Sequence, residues 1–125
     1  MILDTNALSA AADDHPCVIS ILANANELAL PVVVLGEYRY GIAQSRNRVH
    51  YASWLEGLIA DSIVLDINEK TTHHYAAINL ELRRIGKPIP TNDLWIAALG
   101  RQHRLAILSR DRHFDLVPGN KRIDW

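Results

Sequence analysis

The chain has 125 residues, of which 49% are hydrophobic and 22% charged, and this composition fits one folded domain over residues 1–125. With 6 Gly and 5 Pro it is neither disordered nor fibrous. No apolar stretch approaches the roughly 20 residues of a membrane span, and no signal-peptide pattern is present. The single cysteine, Cys17, excludes an internal disulfide and disfavours a thiolate metal cluster. We therefore expect a cytoplasmic domain that makes no contact with a membrane.

The net charge of −1 hides an uneven distribution along the chain. Residues 1–79 hold 4 Lys/Arg and 9 Asp/Glu, whereas residues 80–125 hold 9 Lys/Arg and 5 Asp/Glu. Such asymmetry occurs where one face binds an anionic partner such as a nucleic acid. It is equally typical of a mixed, solvated surface, so charge alone leaves both interpretations open.

The first half of the chain predicts two strands and two helices. A buried strand at residues 1–3 is followed by a polar loop at residues 4–6, where Asp4 has the alternative role of capping the next helix. Pro16 opens an apolar helix, and residues 28–30 form a second short strand. Pro31 suits the first turn of a helix that Gly41 weakens at its far end.

The second half continues the alternation. A helix is predicted at residues 51–59, a β-branched strand at residues 62–66, and a helix from Asn68 to the stop signal at Gly86. The remaining predicted elements are a helix capped by Thr91, a strand at residues 105–108 and a short strand near residues 122–123. Strands that alternate with helices imply a short parallel sheet covered on both faces, which is a three-layer α/β/α domain.

Four carboxylates occupy positions where such a fold gathers functional groups. Asp4 and Asp111 follow two apolar strands, and the ligand crevice of a parallel sheet lies at the carboxyl ends of its strands. Asp93 lies in the first turn of a predicted helix, and Glu37 stands in an apolar helix that suggests partial burial. Converging carboxylates raise each other's pKa, and a divalent cation removes that difficulty. Oxygen ligands favour Mg²⁺, or Mn²⁺, over Zn²⁺.

Each acid taken alone also has an ordinary explanation. Asp93 is placed to complement a helix dipole, and Asp111 fits a turn between two arginines. Only the complete set indicates a site.

Four segments, in this order along the chain, resemble the acidic motifs of PIN domains, and more narrowly those of the VapC-type toxins of prokaryotic toxin–antitoxin systems. The segments are Leu3-Asp4-Thr5-Asn6, Gly36-Glu37-Tyr38-Arg39-Tyr40-Gly41, Asn92-Asp93-Leu94-Trp95-Ile96-Ala97-Ala98 and Ser109-Arg110-Asp111-Arg112-His113-Phe114. The resemblance covers essentially the whole chain.

The resemblance implies a Mg²⁺-dependent endoribonuclease that acts through metal-activated water and that a cognate antitoxin holds inactive, with transfer RNA the commonest target of the family. The near-neutral net charge disfavours tight binding to bulk RNA, so we expect a selected, structured RNA as the substrate. The resemblance also implies a homodimer. Carried over by position, Asp4 and Asp93 are direct metal ligands, and Glu37 and Asp111 act partly through water.

The same motifs supply further candidate residues. Supporting roles fall to Thr5, Asn6, Asn92, Ser109 and Asp115, the last with a doubtful role. Candidates for contact with RNA phosphates are Arg39, Arg46, Arg48, Arg110 and Arg112, together with Lys121. No histidine is required as a general base, so His73, His74 and His113 are interpreted as surface or supporting residues.

Apolar surface supports the expected homodimer independently of the resemblance. The predicted helices around Trp54, Leu55, Leu58 and Ile59 and across residues 75–85 offer more apolar surface than a domain of this size easily covers.

Two other functions account for part of this pattern. A phosphatase of the haloacid-dehalogenase type also places a catalytic Asp after its first strand, but it needs a second Asp where this chain has Asn6. A PIN-like module that only binds an antitoxin or serves as a scaffold would not need acids at all four motif positions.

Overall fold

The computed structural model describes all 125 residues, and one or two helical segments separate each strand from the next. The strands are β1 (Ile2–Leu3), β2 (Ala29–Pro31), β3 (Ile63–Leu65), β4 (Ile107–Leu108) and β5 (Arg122–Ile123). The helices are α1 (Thr5–Ala12), α2 (Pro16–Ala23), α3 (Val32–Ala43), α4 (Arg48–Ala60), α5 (Glu69–Arg84) and α6 (Thr91–His103), with a 3₁₀ helix at Arg112–Leu116. No helix is long and apolar enough to cross a membrane.

All five strands are parallel, in the order β3-β2-β1-β4-β5, and this confirms the predicted α/β fold. The central strand β1 pairs with both β2 and β4, and Leu3 lies opposite Leu108. Because parallel strands end at the same edge, Asp4 after β1 and Ser109 after β4 become neighbours. This register places the first and last acidic motifs side by side.

The core consists of apolar side chains from the central strands and the helices around them. Ile2, Leu3, Ile107 and Leu108 are completely buried, and α6 contributes an almost continuous buried run from Ile96 to Gly100. Among polar residues only Asp4, Thr71 and Ser109 are buried. Burial of polar groups is costly unless they form hydrogen bonds, so Asp4 and Ser109, which lie at the sheet edge, are expected to have hydrogen-bond partners there.

The segment after β1 differs from the predicted loop. Helix α1 begins at Thr5, and Asp4 is its N-cap, with Oδ1 accepting a hydrogen bond from the Thr5 backbone N–H at 2.8 Å. The alternative capping role of Asp4 is therefore present in the structure. Thr5 and Asn6 lie in the first helical turn, which fixes the direction of their side chains toward the sheet edge.

Candidate active site

Asp4 lies at the centre of a hydrogen-bond network at the carboxyl edge of the sheet. Its Oδ2 atom accepts hydrogen bonds from Ser109 Oγ at 2.6 Å and from Asn6 Nδ2 at 3.1 Å. Asn6 in turn accepts a hydrogen bond at Oδ1 from the backbone N–H of Arg110. Asp4 is only 5% exposed, and these donors provide its carboxylate with hydrogen bonds.

Ser109 joins the first and last motifs. Its hydroxyl donates to Asp4 and accepts from Asn6 Nδ2 at 3.1 Å and from the backbone N–H of Asp111 at 2.9 Å. One donor and two acceptor positions exhaust the capacity of a hydroxyl group. A fully buried Ser109 therefore fixes Asp4 and the start of the Asp111 segment relative to each other.

Glu37 is half-buried on α3, as expected, and both of its carboxylate oxygens are occupied. Thr5 Oγ1 donates to Oε2 at 2.8 Å, and Asn92 Nδ2 donates to Oε1. These contacts join α3 to the first turns of α1 and α6. Thr5 and Asn92 thus orient Glu37, and Asn6 and Ser109 hold Asp4.

Asp93 and Asp111 meet at His113. The Nδ1 atom of His113 lies 2.8 Å from Asp93 Oδ2 and 3.0 Å from Asp111 Oδ1. Asp111 also caps the 3₁₀ helix by accepting from the His113 backbone N–H at 2.9 Å. His113 lies inside the site, in contact with two candidate ligands. The short turn between residues 111 and 113 brings the imidazole there. The only feature of the sequence that pointed to this position is that His113 follows Asp111 by two residues.

The acids influence one another electrostatically. Burial raises the pKa of Asp93 to about 6, with Asp111 and Asp4 adding to the shift and the His113 hydrogen bond opposing it. Burial likewise raises the pKa of Asp4, and the negative charges of Glu37 and Asp111 contribute. The hydrogen bond to Asp93 raises the pKa of His113. All four predicted acids therefore share one region of negative potential.

This donor set fits a divalent metal ion. Asp93, Asp111 and His113 each offer one ligand atom, and these atoms lie within 4.8 Å of one another. Asp4 and Glu37 are outside this group of three, and their oxygens are engaged by the hydroxyl, amide and N–H donors described above. A cation at this position would offset the mutual repulsion of the Asp93 and Asp111 carboxylates.

Asp115 is connected to the site indirectly. It forms a bidentate ion pair with the Arg122 guanidinium, with N···O distances of 2.8 and 3.0 Å. Arg122 Nη1 also donates to the backbone carbonyl of Ser109 at 3.0 Å. The aspartate thus holds an arginine that holds the strand end carrying Ser109. It does not contact the four acids.

The five arginines predicted to contact RNA lie in two groups. Arg110 and Arg112 are exposed on either side of Asp111, and the Arg110 guanidinium lies over the Trp125 ring at 4.8 Å. Arg39 follows Glu37 on α3 but pairs with Glu56 at 3.0 Å. The other two are also exposed, Arg46 in the loop between α3 and α4 and Arg48 at the first position of α4. Asp4, Glu37, Asp93 and Asp111 together are called the acidic cluster below. Only the first group of arginines directly adjoins it.

Comparison with known proteins places this geometry in a family. The sequence profile of the PIN domain matches residues 1–120. The chain belongs to the PIN domain family. Its relatives include the tRNA(fMet)-specific endonuclease VapC of Shigella flexneri, 29% identical over 98% of this chain and 96% of the relative. Ribonuclease VapC4 of Mycobacterium tuberculosis is 33% identical over 74% of this chain and 72% of the relative.

Solved structures give the same assignment. VapBC2 from Rickettsia felis, bound to a DNA fragment from its promoter, superposes with a TM-score of 0.86 and 26% identity, covering 99% of this chain and 97% of that chain. The motif resemblance to VapC nucleases is therefore confirmed, and the haloacid-dehalogenase alternative is wrong. The acidic cluster at the carboxyl edge of the sheet is therefore the candidate active site of this PIN domain.

Proposed function

We propose that this PIN domain is a Mg²⁺-dependent endoribonuclease and the toxin component of a type II toxin–antitoxin system. The observation that carries the proposal is the convergence of Asp93, Asp111 and His113 beside the buried Asp4 and the oriented Glu37. The family supplies the class of reaction, and this cluster supplies the groups that the reaction needs.

Asp93 and Asp111, with Asp4 and Glu37 beside them, would hold the ion. Carboxylate oxygens suit Mg²⁺, and Mn²⁺ accepts the same oxygen ligands. A divalent cation at such a site supplies a Lewis acid for the phosphodiester and lowers the pKa of water for in-line attack.

The chain's own residues position the substrate. Helix α6 begins at Thr91 without a side-chain cap, so its first backbone N–H groups are free to bind a phosphate oxygen. Asn92 and Asp93 lie in this first turn, which places the candidate phosphate site directly beside a candidate ligand. Arg110 and Arg112 extend the positive contacts to the neighbouring backbone.

The substrate that we propose is a selected, structured RNA, with transfer RNA as the leading candidate. The Shigella relative is named for a transfer RNA, and several further relatives are named ribonucleases. The near-neutral charge of this chain disfavours tight binding to bulk RNA, because such binding depends on phosphate neutralisation.

The protein partner that we propose is a cognate antitoxin. The Rickettsia felis structure is a VapBC complex, and this chain matches nearly the whole of the matched chain. An antitoxin segment with an Arg or Lys can pair with the acidic cluster and exclude the cation.

The experiment combines metal binding with cleavage. The purified protein is incubated with total transfer RNA and with a Mg²⁺ series, and the 5′ ends of the products are sequenced. We expect discrete cleavage sites that disappear with EDTA, and a melting temperature that rises with Mg²⁺. A protein that neither cleaves RNA nor is stabilised by Mg²⁺ would instead be an antitoxin-binding module without catalysis.

A further inference from the structure

Arg110 leaves its guanidinium without a carboxylate partner, although the residue adjoins the acidic cluster. It follows the buried Ser109 and precedes Asp111, and its backbone N–H donates to Asn6 Oδ1 at 3.2 Å. Asp111 lies 3.0 Å from the imidazole of His113 instead. The arginines that form ion pairs are Arg39, Arg101 and Arg122. Arg110 is thus an exposed cation that no acid of the protein pairs with.

The Arg110 guanidinium lies against two rings. Its Cζ atom lies over the Trp125 ring, 4.8 Å from the ring centroid, which is within the roughly 6 Å range of a cation–π contact. Its Nη2 atom lies 3.5 Å from His15 Nε2, and the imidazole stands edge-on to the indole, with the centroids 6.5 Å apart and the ring planes at 72°. His15 accounts for at most one of the N–H donors of a guanidinium. The side chain therefore has a defined direction and keeps donors for an anion.

Arg122 ties the segment of Trp125 to the strand end that carries Arg110. Arg122 pairs with Asp124 at 3.2 Å and donates to the Ser109 carbonyl at 3.0 Å. The Trp125 backbone N–H donates to Asp124 Oδ1 at 2.9 Å. The hydrogen bonds from Trp125 and Arg122 lower the pKa of Asp124, and the charge of Arg110 adds to this effect without forming an ion pair. The indole is therefore fixed relative to the residue whose side chain it contacts.

The ring of Trp125, and not its polar atom, forms the contacts of this residue. Trp125 packs against the core, and its Nε1–H is buried without a hydrogen-bond partner. An unpaired buried donor destabilises a fold, so hydrogen bonding does not account for an indole at this position. What the indole provides beyond packing is an aromatic face beneath the Arg110 guanidinium.

We propose that Trp125 is a positioning residue, which holds the Arg110 guanidinium ready to bind an RNA phosphate next to the one that the acidic cluster cleaves. The inference rests on the proposed ribonuclease function. The RNA backbone extends on both sides of the scissile phosphate, so a cation on the residue beside Asp111 is placed for a neighbouring phosphate. A guanidinium binds phosphate through two parallel N–H···O contacts. A side chain that is ordered before binding loses less conformational entropy when the RNA binds.

The test separates the ring from the charge. Trp125→Leu removes the aromatic face, and Trp125→Phe keeps an aromatic face without the unpaired N–H. Arg110→Ala removes the charge, and the double variant combines Arg110→Ala with Trp125→Leu. Arg104→Ala is the matched control, because Arg104 is also exposed but precedes β4 and so lies near the opposite edge of the sheet. Circular dichroism and urea denaturation check the fold of each variant.

Binding and cleavage are measured separately. Affinity for fluorescein-labelled total transfer RNA is determined in an Asp93→Asn background across a salt series, and KM and kcat are determined with Asp93 intact. Trp125→Leu should weaken binding and raise KM by about two- to tenfold, the range that ordering one long side chain is worth, with kcat unchanged. Trp125→Phe should stay within about twofold of wild type, because its ring still presents a face to the cation. Arg104→Ala should have no effect.

The salt series and the double variant show whether Trp125 acts through Arg110. Arg110→Ala should lower the slope of log affinity against log salt by about one, the value for one lost phosphate contact. Trp125→Leu should leave this slope unchanged, because the charge is still present. The double variant should bind as weakly as Arg110→Ala alone, since a ring that acts only through the guanidinium has no effect once the guanidinium is gone.

Several results would overturn the proposal and leave the ribonuclease intact. These are additive losses in the double variant, equal losses in Trp125→Phe and Trp125→Leu, and a loss confined to kcat. If Trp125→Leu does not fold, Arg110→Lys decides, because it keeps the charge but not the planar guanidinium. Arg110→Lys should weaken binding at an unchanged salt slope, and wild-type affinity would refute the positioning role. If RNA is bound with the expected coupling but is not cleaved, the positioning role stands and the catalytic proposal is wrong.

Discussion

His113 Nδ1 lies 2.8 Å from Asp93 Oδ2, at the point where the third and fourth acidic motifs meet. The same nitrogen lies 3.0 Å from Asp111 Oδ1. The imidazole therefore occupies the carboxylate oxygens that a cation would bind. Hard cations prefer oxygen ligands, so we infer that His113 supports the acids in the metal-free protein and competes with Mg²⁺.

His113→Ala should lower the melting temperature of the metal-free protein and enlarge the increase that Mg²⁺ produces. Removal of the imidazole leaves Asp93 and Asp111 without their hydrogen-bond partner, and Mg²⁺ then relieves more repulsion. Differential scanning fluorimetry with Mg²⁺ and with Mn²⁺ measures both effects, with His73→Ala on the exposed part of α5 as the control. A smaller increase in His113→Ala, most evident with Mn²⁺, would show instead that His113 is a metal ligand.

Asp93→Asn should abolish the Mg²⁺-induced stabilisation and reduce RNA cleavage by at least about 100-fold, as expected for loss of a principal electrostatic group. The metal-free variant should remain folded, because burial already disfavours the charged form of Asp93 and raises its pKa to about 6, and asparagine carries no charge. Circular dichroism and thermal denaturation check the fold. Cleavage at the wild-type rate in saturating Mg²⁺ would exclude Asp93 from the metal site.

Ser109→Ala should destabilise the protein by about 1–3 kcal/mol, the usual cost of leaving buried polar partners unsatisfied. The hydroxyl is the acceptor for the Asp111 N–H and a donor to Asp4 Oδ2, so the variant leaves the N–H unpaired and leaves Oδ2 with Asn6 as its only donor. Urea denaturation measures the change. Ser53→Ala, on the exposed part of α4, serves as the control and should change stability by less than about 0.5 kcal/mol. Equal stabilities for the two variants would mean that water replaces the hydroxyl.

The sequence predicted the order of strands and helices well because each strand is a short apolar run that turn signals separate from the next helix. It missed α1 because Ala7, Ala10, Ala11 and Ala12 give little hydrophobic periodicity, although Ala strongly favours helix. The polar triplet at residues 4–6 looked like a loop. In the structure it is a helix start, since Asp4 satisfies the first free N–H.

The residues of the candidate site were predictable as a set, but their contacts were not. Asn92 and Glu37 are 55 residues apart, and only the packing of α3 against α6 brings them together. The link from Asp115 through Arg122 to Ser109 depends on the position of β5, which the sequence left approximate. Arg39 was predicted to contact phosphate, yet it pairs with Glu56, since a single sequence gives no information about partners on another helix.

The expected homodimer stays a prediction, but the structure indicates α5 instead of α4 as its interface. Leu55 is completely buried, and Trp54, Leu58 and Ile59 pack against the core, so α4 offers less free apolar surface than expected. Helix α5 and the residue after it expose Leu80 and Ile85, which are 50% and 59% accessible. We expect a dimer by light scattering at micromolar concentration. Leu80→Glu should produce a monomer if α5 forms the interface, and a wild-type monomer would refute the dimer.

The ion pair between Asp115 and Arg122 should make stability depend on pH in the acidic range. The Arg122 hydrogen bond holds the pKa of Asp115 below its ordinary value of 3.8. A carboxyl group whose pKa is lower in the folded state than in the unfolded state stabilises the fold at pH values above the unfolded-state pKa. This stabilisation is lost as the pH falls through the folded-state pKa. Asp115→Asn should therefore destabilise the protein at pH 7, and its difference from wild type should shrink as the pH falls below 3.8 toward the lower pKa of the folded state. Urea denaturation between pH 7 and pH 3 measures this change, with Asp61→Asn as the control because Asp61 is exposed and forms no ion pair. A difference that persists unchanged at pH 3 would show that Asp115 stabilises the fold by packing instead of by charge.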